Sequence, residues 1–373
     1  MSRAWVPLMM VLLACAPNRH SWSPVTTFLD SAVASGAAPG AVLGVTVAGN
    51  RFVYATGRIG TGETARTEAS TVYDLASLTK VVALTTAVML AVGDGKLDLD
   101  APVQRYAPAF VGQGKERVTV RLLLAHAGGM PGWRPLFREA DTRAETFALA
   151  GSTPLDSAPG TAAVYSDLGM IVLTHAVEAV YDQRLDSLLH RRVFQPLGME
   201  SVAFLPPATT RERIAPTELD PWRGRLLRGE VHDENAARLD GVSGHAGLFG
   251  SVPDLLTFAE WMIEGWNEGS LFPSPPPSLV QAFTRRQDLV PGSSRALGWD
   301  TPSAGSSAGR LLSPRSFGHT GFTGTSLWID PERRLGIVLL SNRVNPTRNN
   351  PRWAAVRAAI ADLVMTTLFE DAR

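Results

Sequence analysis

The apolar run from Val81 to Val92 contains no charged residue, and such a run predicts a helix buried around most of its circumference. The polar tetrad Ser77-Leu78-Thr79-Lys80 stands at its head. Nearer the N-terminus, Ala41 to Ala48 and Arg51 to Thr56 alternate in polarity and are rich in β-branched residues. Gly49-Asn50 lies between them, so the pattern predicts a β-hairpin turning there. Two further strands are expected over Phe317 to Asp330 and Leu335 to Ser341, joined by Pro331-Glu332-Arg333-Arg334. Helical periodicity recurs over Leu168 to Val180, over Leu185 to Phe194, and from the start signal Ser251-Val252-Pro253-Asp254 to Trp266. It returns after Asn350-Pro351 and continues to about Phe369.

Between these elements, Asp94 to Val103 reads as the end of the buried helix and the start of another, with Asp as cap and Pro102 early in it. Thr119 to His126 reads as a short helix stopped by Gly128-Gly129. Gly57 to Ser70, Phe272 to Ser278 and Thr301 to Gly309 read as loops, and Arg223 to Arg238 as a loop or outer helix. The ends of the chain thus supply strands and the middle supplies helices. The expected fold class is α/β (α+β): an antiparallel sheet flanked by helices, with an inserted, mostly helical region. One lobe would comprise residues 25–75 and 248–373, the other residues 76–247, with a cleft between them.

The 373 residues are 45% hydrophobic and 19% charged, as in a buried globular core, and the formal net charge is zero, which argues against a nucleic-acid surface. The single cysteine, Cys15, excludes an intramolecular disulfide and any Cys-based metal site. Residues 1–15 read as an export segment: Arg3 is a short positive region and Ala4 to Leu13 an apolar stretch too short to span a bilayer. Leu12-Leu13-Ala14-Cys15 resembles the lipobox of bacterial lipoproteins, which implies a lipid on Cys15 and a membrane anchor, against the alternative of an ordinary cleaved signal. Ala16 after the cysteine suggests the outer membrane in a diderm cell. A polar linker, residues 16–24, follows.

Ser77 and Lys80 are three apart and share one face of a helix. The helix N-terminus favours developing negative charge. A desolvated lysine there should give up its proton more readily than a free one, as an activating base for serine must. Two further stretches could complete such a site. Tyr165-Ser166-Asp167, after Pro159-Gly160, places a phenol and a polar partner at a helix start, and His319-Thr320-Gly321 opens a strand where glycine admits a ligand close to the backbone.

Together these motifs resemble the serine β-lactamase and penicillin-binding-protein family, whose elements in class A are S-x-x-K, S-D-N and K-T-G. The forms here look more like the class C, D,D-peptidase and family VIII esterase branch, over roughly residues 25 to 370. That resemblance implies Ser77 as the acylated nucleophile, Lys80 as its activator, and Tyr165 as base and then proton donor. It implies the backbone N–H groups of Ser77 and Phe322 as the oxyanion hole, and Asp167, His319, Thr320 and Gly321 as substrate-orienting residues. No metal or organic cofactor is implied.

Two departures shape the functional expectation. Asp167 stands where the family more usually has Asn, so a donor becomes an acceptor able to hold Lys80 charged. His319 stands for Lys, which weakens carboxylate binding at neutral pH. Both favour peptidase or esterase work over penicillin hydrolysis. The expectation is a serine hydrolase of a peptidoglycan D-Ala-D-Ala stem, a related D-peptide or a small ester, with a β-lactamase or a non-catalytic penicillin-binding sensor as alternatives. Trp133, after Met130-Pro131-Gly132, is a candidate cleft wall, and His245 could line the cleft. His126 reads as a helix C-cap, and His232-Asp233-Glu234 as a solvated loop rather than a metal site.

Overall fold

Strand β1 (Gly40–Val47) alternates strictly: Ala41, Leu43 and Val45 enter one apolar layer, while Val42 enters the other. The computed structural model describes residues 21–267 and 275–369. The proposed export segment with Cys15, and residues 272–274 of the proline-rich stretch, lie outside the described residues.

β1 pairs with β2 (Asn50–Gly57) through a two-residue turn at Ala48 and Gly49, whose φ angles of 47° and 83° both lie in the left-handed region. The turn therefore falls one residue earlier than Gly49-Asn50. Val47 faces Asn50, the first residue of β2, and a shift of one position would turn the apolar set of a strand to the wrong face. A two-residue strand, β3 (Tyr73–Asp74), comes next and leads to Ser77.

The buried helix begins as expected but not as one regular coil. Lys80–Thr85 forms wide π-helical turns, and only then does regular α-helix follow. With α1 (Ser23–Ala34) as the first helix, this second one is α2 (Thr86–Gly93). The buried helix ends as expected, with Asp94 as its C-cap, but residues 94–103 do not start another: Pro102 precedes a single 3₁₀ turn, Val103–Arg105. Thr119 caps α3 (Val120–Leu124) with its hydroxyl, and a Thr142–Glu145 capping box opens α4 (Arg143–Ser152). α5 (Asp167–Tyr181) and α6 (Leu185–Leu189) fill the middle of the chain together with the turns to Phe194. A small ribbon of β4 (Leu219–Asp220) and β5 (Arg225–Leu226) precedes α7 (Glu234–Arg238), which resolves the loop-or-helix reading of that stretch into both.

β6 (Phe249–Gly250) pairs with β3, and α8 (Val252–Asn267) then lies across the sheet. At Gly44 a Cβ would come within 2.3 Å of Val252 Cγ1, so glycine is what lets this helix approach β1. α9 (Pro277–Thr284) takes its first turn from two residues read as loop, because proline fits the first helical position.

The run from Phe317 to Asp330 is two strands, not one. β7 (Phe317–Thr320) and β8 (Ser326–Asp330) form a hairpin whose tip spans residues 321–325, and β9 (Leu335–Ser341) follows. The five-stranded antiparallel sheet has the order β2-β1-β9-β8-β7, so strands from near both ends of the described chain meet at its centre. α1 and α10 (Trp353–Phe369) cover one face, with Leu29, Trp353 and Ile360 against Leu43 and Leu339. The other face belongs to the larger core built around Val81–Ala91. No described helix is long and apolar enough to cross a membrane.

Candidate active site

Asp74 shapes the turn that presents Ser77. Its carboxylate accepts the Ala76 N–H at 2.8 Å and the His232 N–H at 2.7 Å, and burial raises the pKa of its carboxyl above the ordinary value despite both bonds. Ala76, immediately before Ser77, has φ of 47°, a left-handed conformation costing about 1 kcal/mol or more for a residue with a Cβ. The β7–β8 tip braces the same turn: Thr323 Oγ1 donates to the Asp74 carbonyl at 2.7 Å and Thr325 Oγ1 to the Leu75 carbonyl at 2.9 Å. At Gly321 a Cβ would lie 2.5 Å from the Leu75 carbonyl oxygen and 2.0 Å from Thr325 Oγ1, so no larger residue fits between tip and turn. Phe322 is thereby brought to the cleft that Ser77 also lines. Among the described residues no protein acceptor takes the backbone N–H of Ser77 or of Phe322.

Lys80 is fully buried, and its ammonium has three oxygen partners. Nζ lies 3.1 Å from Ser77 Oγ, 2.9 Å from the His245 carbonyl oxygen and 2.7 Å from Asp167 Oδ1. Burial works against the charge, but the Asp167 carboxylate and the Tyr165 oxygen outweigh it, and Lys80 ends above its ordinary value of 10.5. A desolvated lysine by itself would shed its proton easily, as expected of Ser77's neighbour, but Asp167 is the acceptor able to hold Lys80 charged that the sequence offered. The helix end and desolvation alone favour proton loss, and the acid at 167 reverses the sign.

Ser166 positions that acid. Its hydroxyl caps α5 by accepting the Gly169 N–H at 3.1 Å and donates to the Pro131 carbonyl at 2.6 Å, while its own N–H is accepted by His126 Nδ1 at 3.1 Å. His126 does sit just past the end of α3 with φ of 55°, yet it is more than a cap. Its ring lies 4.7 Å from that of Tyr165, and burial, reinforced by Arg295 and Lys80, keeps it well below the usual imidazole range.

Tyr165 lies between several partners. Lys80 Nζ is 4.8 Å from the ring centroid, the Arg295 guanidinium 5.2 Å, and the His319 ring 5.7 Å. Burial raises the phenol above its ordinary value of 10, with the Lys80 charge opposing. His319 is also held well below the usual imidazole range, by burial and then by Arg295 and Lys80, and its Nδ1 lies 2.8 Å from the Thr320 carbonyl. A neutral ring at 319 therefore accords with the sequence reading.

The cleft has a volume of about 1020 Å³. Trp133 lines it with about half of its surface exposed, and Thr320, Gly321 and Phe322 line it too. His232, Asp233 and Glu234 belong to its wall rather than to a solvated loop. They diverge: His232 Nε2 lies 2.8 Å from Glu218 Oε2, Asp233 binds His245 Nε2 at 2.8 Å, and Glu234 pairs with Arg348 at 2.8 Å. No cluster of three metal-ligating side chains occurs among the described residues. The imidazole of His245 points away from Lys80's carbonyl contact, into Asp233 and Ser243.

Several residues of the site carry no sequence signal. Arg295, Arg343 and Arg357 all reach the cleft, and Arg357 donates to the Gly321 carbonyl. Arg295 stacks on Tyr165 and has no carboxylate partner among the described residues. With only three lysines among 35 basic residues, arginines are too common here for any one of them to stand out.

The Beta-lactamase family model matches residues 25–362. A Salmonella schwarzengrund protein named D-alanyl-D-alanine carboxypeptidase is 33% identical over 320 residues, covering 77% of this chain and 73% of its own length. The structure of EstCE1, a hydrolase with promiscuous acyltransferase activity, superposes with a TM-score of 0.73 at 21% identity over 92% of this chain and 98% of that one. A class C β-lactamase from Rhodobacter sphaeroides gives the same TM-score at 23% identity, covering 93% of this chain and 100% of its own. With the family model spanning nearly the whole described chain, the protein belongs to the β-lactamase family.

Proposed function

We propose that this protein is a serine hydrolase that forms an acyl-enzyme on Ser77, and that its substrates are D-Ala-D-Ala-type peptides and small esters. The observation that carries the reading is the chain of contacts from Ser77 Oγ to Lys80 Nζ and on to Asp167, at 3.1 and 2.7 Å, beside the Tyr165 ring. With its three partners Lys80 acts as a charged support, and the proton acceptor is Tyr165 once the Lys80–Tyr165 pair has lost one proton. Ser77 Oγ attacks the carbonyl carbon and its proton passes to the Tyr165 oxygen. The resulting oxyanion is held by the N–H groups of Ser77 and Phe322. Collapse breaks the bond to the leaving amine or alcohol, which takes the proton from Tyr165. Water, deprotonated by the same pair, then releases the acyl group and restores Ser77.

Trp133, Thr320 and Gly321 are assigned to substrate orientation along the cleft, with His319 and Asp167 beside them. The neutral His319 supports ester substrates, while the cleft arginines supply the cationic charge that a peptide carboxylate requires. The carboxypeptidase name of the Salmonella relative supports the peptide reading. β-Lactam turnover ranks below both. The two groups of residues, 25–75 with 248–373 and 76–247, are assigned as lobes on either side of the cleft. A lipid anchor at Cys15 and an envelope location fit such a substrate. A Cys15→Ala protein that partitions into detergent as the wild type does would remove the anchor.

The test is intact-mass analysis during turnover, with D-alanine release, p-nitrophenyl butyrate and nitrocefin assayed in parallel. An adduct mapped to Ser77, absent from Ser77→Ala, with nitrocefin the slowest substrate, is the expected result. Full activity in Ser77→Ala would end the reading.

A further inference from the structure

The two histidine stretches that the Ser77 site leaves unexplained meet in one hydrogen-bonded chain. Asp233 comes from the segment before α7 and His245 from the loop before β6, yet His245 Nε2 lies 2.8 Å from Asp233 Oδ1, and His245 Nδ1 lies 2.8 Å from Ser243 Oγ. Ser243 and His245 are almost wholly buried. A consistent set of donors runs from the Ser243 hydroxyl to Nδ1 and from Nε2–H to the carboxylate, which uses both ring nitrogens. Asp233 is anchored in turn by the Ala236 N–H at 2.8 Å. Burial works against its charge, but His245, the Ala236 amide and the nearby Lys80 hold its carboxyl well below the usual range.

The backbone next to this ring is equally fixed. The Gly244 N–H donates to Thr174 Oγ1 at 2.8 Å, and a Cβ at 244 would come within 2.7 Å of Leu84 Cδ2 and 2.6 Å of Thr174 Oγ1. The part of this loop that reaches the reaction centre is the His245 carbonyl oxygen, 2.9 Å from Lys80 Nζ. A Ser–His–Asp arrangement is thus present, but the serine is buried and no substrate reaches it. Its output is the position of one carbonyl.

We propose that Ser243, His245 and Asp233 form a positioning chain that holds the His245 carbonyl against Lys80, and so aims the remaining ammonium hydrogens at Ser77 and Asp167. His245 and Asp233 act through Lys80 and not on the substrate, although both line the cleft wall. The kinetic part of the inference rests on the acyl-enzyme reading above; the geometric part does not.

The protein has only three lysines, at 80, 96 and 115, so the ammonium groups are separable by nitrogen-15 lysine labelling and NMR. In the wild type the Lys80 signal should show slow hydrogen exchange, and Asp233→Ala and His245→Ala should each speed that exchange at least tenfold. Asp233→Asn, which keeps an acceptor for the ring N–H and for the Ala236 amide, should lose several-fold less than Asp233→Ala. In the same proteins, labelling of Ser77 by a fluorophosphonate and kcat for the ester should fall roughly tenfold or more with KM unchanged, as loss of a hydrogen bond tied to a charged group implies. The double variant should be no slower than either single one. Unchanged Lys80 exchange in variants with a wild-type melting curve would overturn the proposal, as would a rise in KM alone, which means substrate contact. Failure of the acyl-enzyme reading would show separately, as activity retained by Ser77→Ala.

Discussion

Lys80 and Asp167 face each other at 2.7 Å across the junction of the buried helix and α5, the lysine wholly buried and the acid largely so. This pair holds the Lys80 amine above its ordinary value, because the carboxylate outweighs the burial that favours the uncharged form.

Replacing the acid tests that balance. Asp167→Ala strands a buried ammonium and should cost about 3 kcal/mol in urea unfolding, whereas Asp167→Asn, which keeps an acceptor, should cost less. Because Lys80 sits above 10.5 when folded, the pair's contribution is complete below that pH and disappears as pH rises through the folded value. The Asp167→Ala deficit should therefore be largest where Lys80 is charged in both proteins and shrink as pH rises, beginning where the unpaired, buried amine of the variant gives up its proton.

The same shift sets a pH–rate profile. Lys80 and Tyr165 both lie above their ordinary values, so the pair gives up its shared proton only on the alkaline side. The kcat/KM for p-nitrophenyl butyrate should still be climbing at mildly alkaline pH, and Asp167→Asn should move that limb to lower pH. A profile flat from neutral to alkaline pH in the wild type would contradict this assignment.

Gly321→Ala places a Cβ against the Leu75 carbonyl and Thr325 Oγ1. The hairpin tip must move away from the Ser77 turn and carry the Phe322 N–H with it. If the Phe322 N–H is the oxyanion donor proposed above, its displacement predicts a fall in kcat of about 10² with a smaller change in KM, measured on peptide and ester alike.

Arg295 has no acid to neutralise it among the described residues and lies over Tyr165 at the cleft. Arg295→Gln should raise KM roughly tenfold for peptides ending in a free carboxylate. The neutral ester should be little affected. Equal losses on both substrates would assign the arginine to Tyr165 instead.

Acid sensitivity should trace to Glu218, whose carboxyl is lowered from 4.5 to about 2; burial opposes the shift, but His232 and Arg348 prevail. With the folded value depressed, the stabilisation is present above about pH 4.5 and is lost as pH falls towards 2. The melting-temperature gap between wild type and Glu218→Gln should close over that interval.

The sequence by itself determined the features set by short-range periodicity. Ser77 and Lys80 share a face because three residues make nearly one helical turn, and the β1–β2 hairpin follows from two β-branched runs flanking a turn pair. The motifs at 165–167 and 319–321 could be placed because their spacing along the chain matches a family pattern. Tertiary structure decided the rest. The break at residues 321–325 depends on two threonine hydroxyls reaching the Asp74 and Leu75 carbonyls, contacts between segments far apart in the chain. The roles of His126, of Arg295 and of the Asp233–His245 pair depend in the same way on loops meeting. The charge on Lys80 turns on how close Asp167 lies, since burial and ion pairing push the amine in opposite directions, and their balance depends on a distance that composition and spacing do not contain.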